Sequence, residues 1–381
     1  MKSKAVAWIL FGYARPNGGN TFTRPTCLAF VFAAGIAMLT SMGLAQHSPN
    51  GGPYKVLKVA KVGGEGGFDY ISADVENRRL YIPRSGAMGQ LTVFNLDTLE
   101  PAGTIPTVKS GGAVVDPKSH HGFSTTKPIT MWDASTLQVI KTVDVDSRPD
   151  GIMFDPYNER VWVLSHTPQY ATVIDAKEGT VVGTLDLGGA PEQAVSDGKG
   201  TIYVNTCVDN SCPSHLAKAI IAVVDARHMT VSAHYDISSK GTRGSGLALD
   251  AKNHVLFSYL REPSPTVVIV DADNGSILAT FPTGEGADTV AFNPATMEAI
   301  SAETAGTMTI IKENSPTKFM VEQTLQTMPG AKTMVLDTKT GHVLTMTAEY
   351  GPPPANAPPE RAGPARGPMV PGSFSILMVG K

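Results

Sequence analysis

The chain has 381 residues and a formal net charge of −3 at pH 7, from 31 basic and 34 acidic residues. This balance gives no basic excess for nucleic acid and no acidic tail, so we expect neither kind of partner. Charged residues make up only 17% of the chain and glycine occupies 38 positions, which favours sheets and turns over a helix bundle.

The first 45 residues have the order of a secretory signal peptide. A basic start is followed by the apolar run CLAFVFAAGIAMLT, at 27–40, and by small residues at Gly43 and Ala45. The apolar run is shorter than the roughly 20 residues that a spanning helix needs. We therefore predict cleavage after Ala45, a mature chain without a membrane span, and a periplasmic, secreted or cell-surface location. An uncleaved membrane anchor is the alternative.

The rest of the chain repeats a unit of four short apolar runs separated by turn residues. In the unit at 150–187, GIMFD is followed by RVWVLS, ATVIDA and TVVGTLDL. A four-stranded unit of about 40–45 residues is typical of a propeller blade. Seven units share a turn residue after the first run: Asp74, Asp116, Asp155, Asp197, Asp250, Asn293 and Asp337.

This repetition predicts an all-β fold: a seven-bladed β-propeller with four-stranded blades, in a single domain over 46–381. The seventh unit lacks a fourth strand, whereas YKVLKVAKV, at 54–62, has no unit of its own. We expect this N-terminal strand to complete the last blade and close the ring, which removes an open sheet edge. The proline-rich segment at 351–372 is predicted to be a disordered or extended loop inserted in that blade.

Two cysteines remain once the signal peptide is removed, and they bracket an insertion in the fourth unit. Cys207 and Cys212 are close enough in sequence to pair in an oxidising compartment, so we predict a disulfide. The spacing does not fit the Cys-x-x-Cys-His motif of haem attachment. A structural zinc site would need a fourth ligand beside these cysteines and His215.

Two stretches of the fourth and third units carry the repeat most clearly, namely TIYVNT at 201–206 and ATVIDAKEGTVVGTL at 171–185. They resemble the YVTN-type β-propeller family, also called YncE-like or surface-layer-type propellers. The segments at 66–84 and 329–343 look like the first and last units of exported bacterial members. The chain departs from the consensus in units one, two and six. The resemblance implies a propeller. It leaves function open among surface-layer, ligand-binding and redox-partner roles, and related propellers include lactonases.

The residues just before each first strand are candidates for a ligand site, because loops that lead into the innermost strands converge on one face. The candidates are Asp69, Arg148, Asp150, Glu192, Arg243, Ser245, Asp288 and Lys332. Together they can bind a polar or cationic ligand or a sugar. The carboxylates Asp69, Asp150, Glu192 and Asp288 can also bind a divalent ion. The same residues can equally be ordinary polar turn residues. His166, at the end of a second strand, is not included.

No catalytic motif accompanies these candidates. We therefore predict a monomeric, exported binding or scaffold module that holds a small polar ligand or a protein partner at the channel face, without a cofactor. The alternative is a lactonase-like hydrolase, in which a carboxylate-bound metal polarises a carbonyl and activates water. A third possibility is an accessory protein of a periplasmic redox system.

Overall fold

The structure, a computed structural model, describes residues 51–85, 89–106, 110–208, 218–353 and 367–381, all within one compact unit. These ranges consist of strands and turns, with one short 3-10 helix at Ser238–Lys240. The predicted signal peptide at 1–45 lies outside the described residues. In the described ranges, no helix is long and apolar enough to cross a membrane.

Five of the sheets in the described part of the chain have four antiparallel strands each. Four of them use consecutive strands. The first is β2 (Ser72–Asp74), β3 (Arg79–Arg84), β4 (Gln90–Asn95) and β5 (Pro101–Pro106). The second is β6 (Ala113–Asp116), β7 (His121–Ser124), β8 (Ile129–Asp133) and β9 (Val139–Val143). The third is β10 (Arg148–Asp155), β11 (Arg160–Thr167), β12 (Gln169–Asp175) and β13 (Val181–Asp186). The fourth is β22 (Ala287–Asn293), β23 (Glu298–Glu303), β24 (Thr307–Ser315) and β25 (Lys318–Gln326).

The fifth four-stranded sheet combines the two ends of the described chain. Its strands, in spatial order, are β1 (Lys55–Lys61), β28 (Ser375–Gly380), β27 (Val343–Thr347) and β26 (Met334–Leu336). The N-terminal strand is thus the outermost strand and pairs antiparallel with the C-terminal one.

The remaining eight strands form one continuous sheet. Its first half is β14 (Ala190–Ser196), β15 (Thr201–Val208), β16 (Lys218–Asp225) and β17 (Thr230–Asp236). Its second half is β18 (Thr242–Asp250), β19 (Val255–Glu262), β20 (Thr266–Asp271) and β21 (Ile277–Pro282). A single residue pair, Lys218 with Thr242, joins β16 to β18 and merges the two halves.

The fold is therefore an all-β propeller, but our prediction of seven four-stranded blades in a closed ring was wrong. The described strands form five four-stranded blades and one eight-stranded sheet. The pair Lys218–Thr242 is the physical reason, because it continues hydrogen bonding where two blades were expected to separate. Among the described residues, the other sheets are not joined into a hydrogen-bonded ring, although an isolated bridge pairs Tyr70 with Gly112 beside β2 and β6.

Turn chemistry explains why the units repeat. At the end of β6, Asp116 Oδ1 accepts a hydrogen bond from the backbone N–H of Lys118 at 2.9 Å. At the end of β12, Asp175 Oδ1 accepts hydrogen bonds from the N–H groups of Lys177 and Glu178 at 3.0 and 2.7 Å. Aspartate in this position stabilises a turn by satisfying backbone donors. The aspartates that mark the repeat in the sequence are thus structural.

The core lies between neighbouring sheets, and the first strands enclose a channel. Trp162 of β11, for example, packs in one buried cluster with Val204 of β15 and Ala222 of β16. Fully burying a large apolar side chain contributes about 1.5–3 kcal/mol. The first strands lie side by side around a cavity of about 410 Å³, hereafter the channel, which is lined by apolar side chains such as Ile152 and Phe292.

A polar cluster lies where the two ends of the described chain meet the sheet β22–β25. We call this cluster the seam; it consists of Tyr54, Glu298, Gln323 and Lys381. The Tyr54 hydroxyl donates to Glu298 Oε2 at 2.6 Å, and Lys381 Nζ donates to Glu298 Oε1 at 2.7 Å. The Gln323 amide exchanges two hydrogen bonds with the backbone of Tyr54, at 2.9 and 2.8 Å. Glu298 and Gln323 are fully buried, so these bonds fasten both chain ends to the sheet.

Candidate binding site at the mouth of the channel

A polar cavity of about 330 Å³ opens above the apolar channel, and we call it the mouth. Tyr70 and Glu192 line both the mouth and the channel, so the two spaces adjoin. Small-molecule sites begin at about this volume. Nine charged or histidine side chains line the mouth: Asp69, Arg148, Asp150, His166, Glu192, Arg243, Arg261, Asp288 and Lys332.

β-Bulges in four first strands shape the positions next to the mouth. The register shifts in β10, β14, β18 and β22 fall around Asp150, Glu192, Ser245 and Asp288, respectively. A bulge leaves a residue unpaired and redirects its side chain, and bulges are frequent beside functional sites. Three of these four side chains line the mouth.

The bulges leave backbone groups that another side chain must satisfy. Gln193 Oε1 accepts hydrogen bonds from the N–H groups of Leu247 at 3.1 Å and Val290 at 3.0 Å. Its Nε2 donates to the carbonyl of Val290 at 2.9 Å. One amide thus links the bulges of three first strands, which holds the site-forming strands in place.

The bulged residues occupy a common position in the repeat. Each lies five residues before the turn residue of its unit, as Asp150 does before Asp155. Asp69 and Lys332 stand at the same position in units one and seven. The repeat therefore directs chemically different side chains to one place.

One side of the mouth is a network of paired charges around Asp288. Lys332 Nζ lies 2.5 Å from Asp288 Oδ2 and 3.3 Å from Asp69 Oδ1. Arg261 Nη2 donates to Asp288 Oδ1, and Arg261 Nε donates to the carbonyl of Ala287 at 3.2 Å. Arg261 and Lys332 thus both contact the buried carboxylate of Asp288, whereas Asp69 contacts Lys332.

These contacts separate the pKa values of the two aspartates. Burial would raise the pKa of Asp288, but Lys332 and Arg261 hold it below its usual value. Burial raises the pKa of Asp69 to about 7, against the lowering effect of Lys332 and with the help of the negative charge of Asp288. At neutral pH, Asp288 is therefore ionised, and Asp69 is the carboxyl of this network that exchanges a proton.

The other side of the mouth holds two carboxylates and a histidine. His166 Nε2 lies 3.6 Å from Asp150 Oδ2 and 3.6 Å from Glu192 Oε1. The same nitrogen lies 2.8 Å from the carbonyl oxygen of Pro191, to which it donates when it carries the proton. Burial raises the pKa of Glu192, against the positive charges of His166 and Arg261. A cation placed here would be stabilised by both acids.

The other predicted residues have different surroundings. Arg148 is exposed and lines the rim of the mouth. Arg243 also lines the mouth, with its Nη1 3.3 Å from Glu262 Oε1. Ser245 is buried and does not line it, because its hydroxyl donates to the carbonyl of Ala287 at 2.7 Å.

Sequence reasoning missed His166, Arg261 and Tyr70. His166 and Arg261 are each the next-to-last residue of a second strand, eleven residues after the turn residue of the unit. In an antiparallel pair, the end of the second strand returns to the start of the first, so both residues reach the mouth. That spacing is the signal that could have revealed them. Tyr70 directly follows the predicted Asp69.

The insertion of the fourth unit is only partly described. Cys207, at the end of β15, is buried and lines the mouth. Its predicted partner, Cys212, lies outside the described residues, and so does His215. The Cys207–Cys212 disulfide therefore stays a prediction.

Curated proteins of similar sequence share the YncE name. The chain is 24% identical over 227 residues to "Uncharacterized protein YncE" of Escherichia coli O157:H7 and 25% identical over 228 residues to that of Salmonella typhi. Each match covers 57% of this chain and 56% of the relative. No protein-family model matches the chain. The chain is thus a weak relative of the YncE proteins, and its membership of the YVTN family is not established.

Solved structures confirm a propeller-like arrangement. A chain of "Kuenenia stuttgartiensis Hydrazine Synthase" is similar with a TM-score of 0.63 at 12% identity, covering 79% of this chain and 95% of that one. A chain of "Crystal Structure of Mitotic Checkpoint Complex" has the same TM-score at 10% identity, covering 84% and 95%. At such identities the likeness concerns the fold alone.

Proposed function

We propose that this propeller-type protein is a binding module that holds a small polar ligand at the mouth. The observation that carries the proposal is the convergence of nine charged or histidine side chains on one cavity of about 330 Å³; they come from three sheets and from the segments just before β2 and β26. A ligand that bears a positive charge fits best, since it would face Asp150 and Glu192. The paired cations on the opposite side would contact its polar or anionic groups.

Accessibility favours binding over a purely structural charge network. The side chains of Asp150 and His166 are 36% and 35% exposed, although they stand among other charged groups. A network that only stabilises the fold gains most when it is dry and fully paired. Here the acids remain open to the cavity, where a ligand can replace water.

Native mass spectrometry tests this proposal. The protein would be equilibrated with the small-molecule fraction of the cells that produce it and then measured beside the variants Glu192→Gln and Glu178→Gln. We expect a small-molecule adduct on the wild type and on Glu178→Gln, whose carboxylate is exposed on an outer turn. We expect Glu192→Gln to lose it. No adduct, or equal adducts on all three proteins, would contradict the proposal.

We further propose that the module is an exported, monomeric member of the YVTN-type family. The order of residues 1–45 and the repeat motifs support this proposal. The Cys207–Cys212 disulfide belongs to it, since disulfides persist in oxidising compartments. The mass of the purified protein, with and without reduction before alkylation, tests both points. A chain that begins before residue 46, or thiols that are alkylated without reductant, would contradict them.

A metal-assisted hydrolase is the second candidate, and the accessible group Asp150, His166 and Glu192 favours it. Asp69 and Asp288, which were predicted as further ligands, instead contact Lys332. A bound metal would polarise the carbonyl of an ester or lactone, water would add to the carbonyl carbon, and the C–O bond would break to give an acid and an alcohol. Hydrolysis of p-nitrophenyl acetate with added Zn²⁺, lost in Asp150→Asn, would support this candidate. Equal rates in both proteins would exclude it.

A further inference from the structure

We infer that Asp150, His166 and Glu192 form a site for one divalent transition-metal ion of the zinc type. The inference goes beyond the proposed function, because a polar ligand can bind at the mouth without a metal. The hydrolase candidate depends on this site, whereas the site does not depend on any hydrolase activity.

The distances between the three side chains suit a metal. Zinc binds nitrogen and oxygen ligands at about 2.0–2.2 Å, so tetrahedral ligands are roughly 3.3–3.6 Å apart. His166 Nε2 lies 3.6 Å from an oxygen of each carboxylate. One ligand atom from each of the three residues lies within 4.8 Å of the others. An ion can therefore enter once the two carboxylates approach each other by up to about an ångström, in side chains that already line a cavity.

The ligand types narrow the choice of ion. Imidazole nitrogen and carboxylate oxygen are both ligand types that zinc and related first-row ions accept. Calcium takes six to eight oxygens and is a poorer match to a site with an imidazole. The fourth coordination position would face the mouth, where water or a ligand can occupy it.

The electrostatic surroundings distinguish these acids from the others at the mouth. Asp288 is neutralised by Arg261 and Lys332, and Asp69 contacts Lys332. In the described structure, the contacts of Asp150 and Glu192 at salt-bridge distance are with His166. A divalent ion would relieve the repulsion between these two carboxylates, which a half-buried histidine offsets only when it is protonated.

Binding has one definite cost. His166 Nε2 donates to the Pro191 carbonyl at 2.8 Å, and coordination through this nitrogen requires loss of that proton and hydrogen bond. At this site the metal therefore competes with a hydrogen bond. At Asp288 it would have to compete with salt bridges to a lysine and an arginine.

Cobalt titration tests the site, using the full chain purified without a histidine tag and stripped with a chelator. Co²⁺ binding would be followed by visible absorption, and Zn²⁺ stoichiometry by elemental analysis after gel filtration. The test variants are Asp150→Asn, His166→Gln and Glu192→Gln. Asp69→Asn is the matched control, since it removes a carboxylate from the same mouth. Circular dichroism would confirm that each variant is folded.

We expect the wild type and Asp69→Asn to bind one equivalent of Co²⁺ with similar affinity. Each test variant should bind more than about 100-fold more weakly, because the loss of a direct ligand exceeds the loss of an outer-shell partner. A wild type that binds no metal, or a Glu192→Gln variant that binds as tightly, would overturn the inference. Equal loss in Asp69→Asn would also overturn it, by placing the ion elsewhere in the mouth.

X-ray absorption spectroscopy on the zinc-loaded wild type avoids variants that fail to fold. We expect one imidazole nitrogen and carboxylate or water oxygens at about 2.0–2.2 Å, without sulfur. A sulfur ligand would place the metal outside the group Asp150, His166 and Glu192 and would overturn the inference. A mouth that retains a small-molecule adduct but no metal would reject this site and leave the proposed function intact.

Discussion

The mouth and the seam both contain a buried carboxylate with two cations, yet they differ in what surrounds it. Asp288 at the mouth is paired with Arg261 and Lys332 beside an open cavity. Glu298 at the seam is paired with Lys381 and also accepts a hydrogen bond from Tyr54. The second cation of the seam, Lys312, lies 3.6 Å from Glu298.

The mouth differs from the seam in having an adjoining cavity and two acids that are not paired with a lysine or an arginine at salt-bridge distance. At the seam, the hydrogen bonds of Glu298 join the chain ends to a packed apolar cluster. At the mouth, Asp150 and Glu192 line the cavity. In the described part of the chain, their partner at salt-bridge distance is His166, and Arg261 acts on Glu192 from further away. A buried ion pair therefore does not by itself identify a functional site. An adjoining cavity with acids that a ligand can neutralise is the better indicator.

The largest expected loss of stability is at the seam. Glu298→Gln leaves the partly exposed Lys381 and Lys312 without this buried carboxylate and weakens its hydrogen bond from Tyr54. After allowance for solvent screening of the lysines, we expect the free energy of unfolding to fall by about 2–3 kcal/mol. Urea denaturation measures this loss. The exposed control Glu178→Gln should unfold at the wild-type midpoint. A Glu298→Gln variant that matches this control would show that the seam does not fasten the chain ends.

Asp288→Asn at the mouth should destabilise the protein less, by about 1–2 kcal/mol. Lys332 would keep the Asp69 carboxyl at 3.3 Å, and Arg261 would keep the negative charge of Glu192 nearby, so less charge is left uncompensated. The same urea experiment compares the two variants. A loss at Asp288 that equals or exceeds the loss at Glu298 would mean that the mouth is as structural as the seam.

The seam also predicts a pH dependence. Burial would raise the pKa of Glu298, but the Glu322 carboxyl, which donates when it carries the proton of this pair, and hydrogen bonds from Lys381 and Tyr54 lower it to about 2. A depressed pKa in the folded state stabilises the protein above the unfolded pKa of about 4.3, and this contribution is lost as the pH falls towards 2. The stability difference between the wild type and Glu298→Gln should therefore shrink between pH 5 and pH 2, with unfolding measured in about unit steps. A difference that is constant with pH would contradict this assignment.

The smallest expected effect is a change in the pKa of Asp69 at the mouth. The Asp69 carboxyl should titrate near pH 7, which a carbon-detected NMR titration of its side chain can follow. Lys332→Met removes the cation that lowers this pKa, so the midpoint should rise further. A midpoint near 4 in the wild type, or a fall in Lys332→Met, would show that Asp69 is hydrated like a surface residue.

Much of the architecture could be predicted from the sequence because turn chemistry repeats with the fold. Asp116 and its equivalents each follow a first strand, and they mark the units reliably. The number of separate blades could not be read in this way. One residue pair, Lys218 with Thr242, merges two units, and nothing in the repeat pattern marks such a pair.

The positions of most residues that line the mouth were predictable from the repeat, but the directions of their side chains were not. Asp150, Glu192 and Asp288 line the mouth as the repeat suggests, whereas Ser245 stands at the same repeat position and bonds to a backbone carbonyl instead. Side-chain direction within a bulge depends on tertiary contacts that the pattern does not encode. His166 was set aside because a metal site was expected to need three converging histidines, whereas here two carboxylates stand beside it.

The most direct test of the account is a crystal structure of the wild type equilibrated with the small-molecule fraction of its own cells. We predict difference density for a ligand in the mouth, in contact with Asp150 or Glu192, and none at the seam. Density for ordered water alone in the mouth, with a small molecule bound elsewhere on the protein, would contradict the assignment of the mouth as the binding site.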